Sequence, residues 1–204
     1  MLWISDSTAN DEDGTPSAPH GQDASGHVRC LAPDRWVLDT YRRNVPRAAL
    51  TSAAVKVFQH ERRLRTAGGL SVRDITDEVT ESVRESGVRD GIVCVYSPHT
   101  TCCVRVNEFE DGFLQDFTAL LKSLVPSDKY YAHDDWERRT ENICEEDMEL
   151  GNGHSHCMSM LLGSAGEAIP VRDGELCLGT WQRVLFLELD RERDRRWLVQ
   201  VVGV

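Results

Sequence analysis

Apolar positions along this chain repeat with two periods, and the switches between them mark out most of its elements. Val55 and Val57, followed by a polar stretch to Thr66, read as a first strand that ends in a turn at Ala67-Gly68-Gly69. Val72, Ile75, Val79 and Val83 then fall on one helical stripe. With Ser71 as N-cap, Asp74 three residues on and Gly87 as terminator, the spacing predicts a helix over 71–86. The run 91–96 is apolar and β-branched, and Cys103-Val104-Arg105-Val106-Asn107 alternates, so two strands are expected, joined through the turn that carries His99. Phe113, Leu114, Phe117, Leu120, Leu121 and Leu124 lie at helical spacing ahead of Pro126 and predict a second core helix over 112–125. A short helix is expected over 154–162. The stretches 167–171, 176–178, 181–189 and 196–202 read as strands of an antiparallel meander.

Composition narrows this picture. A chain of 204 residues can bury one full core. Residues 1–27 contain no Lys or Arg, carry Asp11-Glu12-Asp13 and are rich in Ser, Pro, Gly and Ala, so they are expected to form a disordered acidic tail. Residues 28–54 form an adapter segment of weak periodicity, and 55–204 the folded domain. A formal net charge of -11 at pH 7 argues against a nucleic-acid partner, which needs a basic face. No apolar run spans a bilayer and no signal peptide is recognisable, so neither a membrane partner nor export is expected. The 7 cysteines are odd in number and form no C-x-x-C pair, which fits reduced thiols and a cytoplasmic location. Cys102-Cys103 beside His99 reads as core packing more readily than as a thiol nucleophile.

Candidate chemistry concentrates in turns. Gly151-Asn152-Gly153-His154-Ser155-His156 places two imidazoles two residues apart at a helix start, with the glycines read as freeing the backbone from Cβ restrictions. His99 and His133 lie in turn-like segments as well, and the four are expected to converge on one site with Asn107, Glu108 and Asp111. Imidazoles with a carboxylate suit a divalent metal such as zinc, and three histidines plus a water make an open, catalytic type of site. The spacing His154-x-His156 lets only one of the two reach a shared metal. Which of the two does so the spacing leaves open, the other standing behind the metal ligand or acting as a general base. Trp181 and Gln182 could stack on and hydrogen-bond to a flat ligand. No Walker loop and no G-x-G-x-x-G is present, so a nucleotide fold is not supported.

The ordered set His99-Thr100-Thr101, Asn107-Glu108, Val125-Pro126, Tyr131-x-His133, Gly151 through His156, Pro170 and Gly179-Thr180-Trp181-Gln182 resembles the YjbQ family, proteins often labelled secondary thiamine-phosphate synthases. The likeness covers about 55–204. It implies an α+β single domain, a mixed or antiparallel sheet packed with two main helices, assembled as a homotrimer. It also implies site roles at His99, Asn107, Glu108, Asp111, His133, His156, Trp181 and Gln182, with His99, His133 and His156 as ligands of one divalent metal and His154, Glu108 and Asp111 in catalytic roles around it. This chain departs from the family pattern in its N-terminal extension and in a longer acidic connection between His133 and Gly151. The labelled activity joins a pyrimidine diphosphate to a thiazole phosphate with loss of pyrophosphate. Such chemistry calls for a metal and for cations such as Arg105, Arg195 or Arg196 around the diphosphate. The expectation is thus a metal-dependent transferase acting on a phosphorylated small molecule. A metal-dependent hydrolase of such a molecule, or a non-catalytic metal-binding trimeric scaffold, stands as the alternative.

Overall fold

The order of elements along the chain is β1 (Lys56–Arg65), β2 (Ser71–Asp74), α1 (Thr76–Ser86), β3 (Gly91–Tyr96), β4 (Cys102–Asn107) and α2 (Asp111–Leu124), then a 3-10 turn at Ala132–Asp134, α3 (Gly153–Leu162), β5 (Gly166–Arg172), β6 (Glu175–Leu176), β7 (Arg183–Glu188) and β8 (Asp194–Gly203). The computed structural model describes residues 54–143, 151–163 and 165–204. The acidic tail (1–27), nearly all of the adapter segment (28–53) and residues 144–150 of the acidic connection lie outside the described residues.

The strands form two sheets, one in the order β1-β8-β3-β5-β6 and one in the order β2-β7-β4. Every ladder is antiparallel, so of the mixed or antiparallel sheet that was expected only the antiparallel form is found. The α+β class holds, and the three α-helices among the described residues are the two main ones and the short one expected over 154–162. β7 explains how the layers stack. Its alternate residues Val184 and Phe186 enter a core shared with Val93, Val95, Trp197, Val199 and Val201 of the five-stranded sheet and with Ile75, Val79 and Val83 beside α1. Leu185 and Leu187 point the other way, into a second core with Leu121 of α2 and Met158 of α3. A strand covered on both faces reads as a continuous apolar run, which is what Val184 to Leu187 is.

Three local expectations are corrected. Ser71–Asp74 is not the first turn of a helix but a strand, paired with β7 from Ser71↔Glu188 to Asp74↔Leu185. The helix begins later because Asp74 Oδ1 accepts hydrogen bonds from Thr76 N at 2.9 Å and Thr76 Oγ1 at 2.5 Å, satisfying a donor of the first turn from there. β3 and β4 are not a hairpin: β3 pairs with β5 and β8, β4 with β7, and the chain changes sheets across His99. Nor are β5 to β8 a meander, since β7 leaves for the small sheet and β8 returns between β1 and β3. In each case the apolar alternation is satisfied by a partner distant in sequence.

Candidate functional site

The switch between sheets brings together the ends of four segments: the β3–β4 connection, the 3-10 turn, the start of α3 and the β7–β8 connection. They enclose a cleft of about 600 Å³ whose lining includes Thr100, Thr101, His133, Trp136, Arg139, Asn152, His156, Asp190, Arg193 and Arg195. His133 and His156 meet there, ring centroids 4.5 Å apart.

Asp134 sets the geometry of that pair. Its Oδ1 accepts from Asn152 N and Gly153 N, both at 2.9 Å, and lies 3.1 Å from His133 Nδ1. The carboxylate therefore occupies the N-terminus of α3, where the helix dipole favours a negative charge, and ties the two histidine-bearing segments to each other. Burial alone would raise its pKa, but the bonds from His133, Gly153 and Asn152 hold it below the ordinary aspartate value. Gly151 and Gly153 are needed for this approach. A Cβ on Gly151 would stand 2.6 Å from Asp134 Cγ, and one on Gly153 2.6 Å from Tyr131 Cβ. Close packing, not a left-handed backbone, is what those glycines serve, since neither has a positive φ.

The tautomer of His133 follows from its neighbours. Arg139 Nη1 lies 3.4 Å from the same Nδ1 but also donates to His133 O at 3.2 Å, and a guanidinium can only donate. The shorter contact to the carboxylate assigns the Nδ1 proton to Asp134 and leaves Nε2 with its lone pair. Arg139 spends its other donors on Glu141 O at 3.1 Å and Asn142 O at 2.6 Å. His156 is depressed below the usual histidine range, first by burial and then by the neighbouring His133.

The cleft floor rests on a buried ion pair. Glu188, 1% exposed, accepts from Arg195 Nε at 2.5 Å and Nη2 at 2.7 Å. Thr66 Oγ1 at 3.0 Å, Asp190 N at 3.1 Å and Cys102 Sγ at 3.6 Å also donate to Glu188, and Arg195 Nη2 also donates to Thr101 Oγ1 at 3.0 Å. Asp190 in turn pairs with Arg193 at 3.3 Å and accepts from Asn152 Nδ2 at 3.1 Å. The pocket is thus rich in fixed donors, with each guanidinium also engaged by the protein.

The remaining expected site residues stand elsewhere. His99 lines a separate depression with Arg63, Arg65 and Arg196, its Nε2 3.1 Å from both Arg196 N and Arg196 O. Burial and then the Arg195 charge lower its pKa. His154 borders the cleft without lining it. Ser155 Oγ donates to Leu189 O at 2.7 Å, so at 3.2 Å it accepts from His154 Nε2. Asn107, Glu108, Trp181 and Gln182 gather at the far end of the β4–β7 ladder, where Asn107 faces Arg183. Trp181 is 73% exposed, Gln182 Oε1 accepts from Gly179 N at 2.8 Å, and Asp111 opens α2 on the surface. Of the expected cations, Arg105 pairs with Glu167 at 3.0 Å away from the cleft. Cys102 and Cys103 are core residues, and burial pushes the Cys103 thiol up to about 12.

The described residues of one chain therefore bring His133 and His156 together but leave His99 apart, and no group of three His, Cys, Asp or Glu among them is arranged to hold a metal ion. Asp134, Trp136, Arg139, Glu188 and Asp190 were not singled out from sequence. The only available signals were the adjacency of Asp134 to His133 and the Arg193-x-Arg195 spacing entering β8. Among the described residues no helix is long and apolar enough to cross a membrane.

Comparison with known proteins places this architecture. A family profile described as UPF0047 protein YjbQ-like matches residues 60–204. A UPF0047 protein of Archaeoglobus fulgidus is 40% identical over 142 residues, 70% of this chain and 99% of its own length. The UPF0047 protein YugU of Bacillus subtilis is 32% identical over 131 residues, 64% of this chain and 88% of its own. Among solved structures, a YbjQ-like protein of unknown function from Sulfolobus solfataricus superposes with a TM-score of 0.64 at 29% identity, over 74% of this chain and 100% of that one. An uncharacterised YjbQ/UPF0047 protein of Clostridium acetobutylicum gives 0.60 at 33% identity, over 70% and 98%.

Proposed function

The chain belongs to the UPF0047 YjbQ-like family, and from that premise we propose that its cleft binds the phosphate or diphosphate group of a small molecule, with His133 and His156 handling the proton at the reacting oxygen. The observation that carries this is the pair of imidazoles at 4.5 Å in a cleft walled by Arg139, Arg193, Arg195, Thr100 and Thr101. Hydroxyls, guanidinium groups and imidazole N–H groups are the donors a phosphoryl group takes, and their fixed positions avoid reorganisation when charge develops.

In the transfer of thiamine-phosphate type, the C–O bond to a diphosphate breaks, pyrophosphate leaves with the electron pair, and a C–N bond forms to the thiazole nitrogen. The donors around the cleft would stabilise the departing pyrophosphate, and His156, once protonated, would supply a proton to it. A hydrolase is the second reading, supported by the Asp134 bond that directs His133 Nε2 outward as a base. There a water would lose its proton to Nε2 while attacking phosphorus, and His156 would protonate the leaving oxygen. The same orientation by a carboxylate is found behind metal-bound histidines. Among the described residues of one chain, however, the pair has no third donor arranged with it, so no step here is routed through a metal. Assembly as a homotrimer is supported by apolar side chains left on the surface of α2 and α3, Leu120, Leu124, Met160 and Leu161, each more than half exposed.

Titration with inorganic pyrophosphate against pH tests the reading. Protonation of His156 favours the anion, so affinity should rise as pH falls through its lowered value, and His156→Ala should abolish that rise. Zinc affinity falling over the same range, with no pyrophosphate binding, would replace this reading by the metal one. Rescue of a thiamine auxotroph by the intact gene but not by His156→Ala would favour transfer over hydrolysis.

A further inference from the structure

The cleft is larger than a phosphate group requires. Five heavy atoms at about a water's ~30 Å³ each come to roughly 150 Å³, against the cleft's 600 Å³. What fills the remainder is indicated by the part of the lining that adjoins His133. Among the described residues Trp136 is the only Trp, Tyr or Phe lining the cleft, and the Arg139 guanidinium lies over its indole at 5.2 Å from the ring centroid. Arg139 is held there by main-chain carbonyls of His133, Glu141 and Asn142. The guanidinium thus stacks on the indole and is hydrogen-bonded to the histidine that faces the phosphoryl group, which pre-sets the position of the flat ring.

Resting on the phosphate reading above, we infer that Trp136, backed by Arg139, is the specificity-determining residue of the cleft, selecting phosphorylated molecules that carry a flat ring next to the phosphate over those that carry an alkyl chain. A rigid aromatic face costs little ordering entropy on binding, and a guanidinium fixed over the indole holds the ring in place. Trp181, the aromatic residue expected from sequence to do this, stands at the other end of the small sheet.

Calorimetric titration of the full chain with inorganic phosphate, methyl phosphate and phenyl phosphate at one pH decides the matter. Phenyl phosphate should bind about tenfold more tightly than methyl phosphate, within the range for one ring stacked on an aromatic side chain. Trp136→Ala should remove that preference and leave inorganic phosphate affinity within about twofold, while Trp136→Phe should keep most of it. Equal affinity for the two esters in the wild type, or a preference that survives in Trp136→Ala, overturns the inference while phosphate binding stands. Failure of all three anions to bind overturns both the inference and the phosphate reading beneath it. Trp136→Ala protein whose phosphate affinity is lost altogether would assign Trp136 to holding the loop, and that too overturns a role in selecting the ring.

Discussion

The two ends of the β4–β7 ladder carry residues of equal chemical promise and opposite situation. At one end Cys102 faces Glu188, and at the other Asn107 faces Arg183, about 17 Å away at ~3.4 Å per residue. The Glu188 end is closed over by the 3-10 turn, the start of α3 and the β7–β8 connection, so its polar groups are buried, bonded to one another and aimed at a cleft. The Asn107 end lies open. Asn107 Oδ1 turns back to Glu108 N at 2.9 Å, and Trp181 stands 73% exposed. What distinguishes a formed site from a set of reactive side chains is the number of separate segments that meet over it.

The largest expected effect comes from breaking the closed end at its base. Glu188→Ala leaves the Arg195 guanidinium, 8% exposed, without its buried partner, and should cost about 3–5 kcal/mol. Urea denaturation measures it; a loss under about 1 kcal/mol would mean the pair does not organise that end. Asp134→Ala should cost about 1–3 kcal/mol, because three charge-assisted bonds to His133, Asn152 and Gly153 are lost at a half-exposed position. Pyrophosphate affinity should fall with it, since His133 loses its anchor.

Acid should weaken the closed end in a definite order. The folded His156 binds its proton less readily than the unfolded chain, where histidine titrates near ~6.5. Below that pH the unfolded state therefore holds more protons, and the stability fully present above ~6.5 is lost as pH falls through the lower folded value. Asp134, depressed by its bonds, repeats the same sign further down: its contribution is present above the unfolded aspartate value near ~3.9 and disappears as pH falls through the folded one. A midpoint in urea that does not change between pH 7.5 and pH 5, or that changes equally in His156→Ala, would refute the first step.

The smallest effect belongs to the open end. Trp181→Ala should change stability by no more than about 0.5 kcal/mol and pyrophosphate affinity by less than about twofold. A large loss of affinity would instead show that a neighbouring copy lends Trp181 to the cleft, joining the two ends across subunits.

The same contrast runs through the helices. α1 sinks Val79 and Val83 to 0% and 1% exposure, whereas α2, with an equally clear apolar stripe, buries only Leu121 and leaves Leu120 and Leu124 at 55% and 61%. Periodicity names the apolar face of an element but not what covers it.

Determined by the sequence itself were the elements whose signals are local: the strands at β1, β3 and β4, the helices α2 and α3 nearly to the residue, and the placing of His133 in a turn and of His156 at a helix start. Side-chain alternation, helical spacing and breakers such as Pro126 act within a few residues of their own position. Tertiary structure decided that Ser71–Asp74 extends as a strand, because the edge of β7 offered it a ladder, and that β3 and β4 belong to different sheets. It decided as well that His99 bonds to the Arg196 main chain while His133 and His156 share a cleft with Arg195, Glu188 and Trp136. Those residues come from segments far apart in the chain, and their meeting depends on how the five-stranded sheet packs on one face of β7 and the helices α2 and α3 on the other, a choice made by long-range packing that local spacing does not encode.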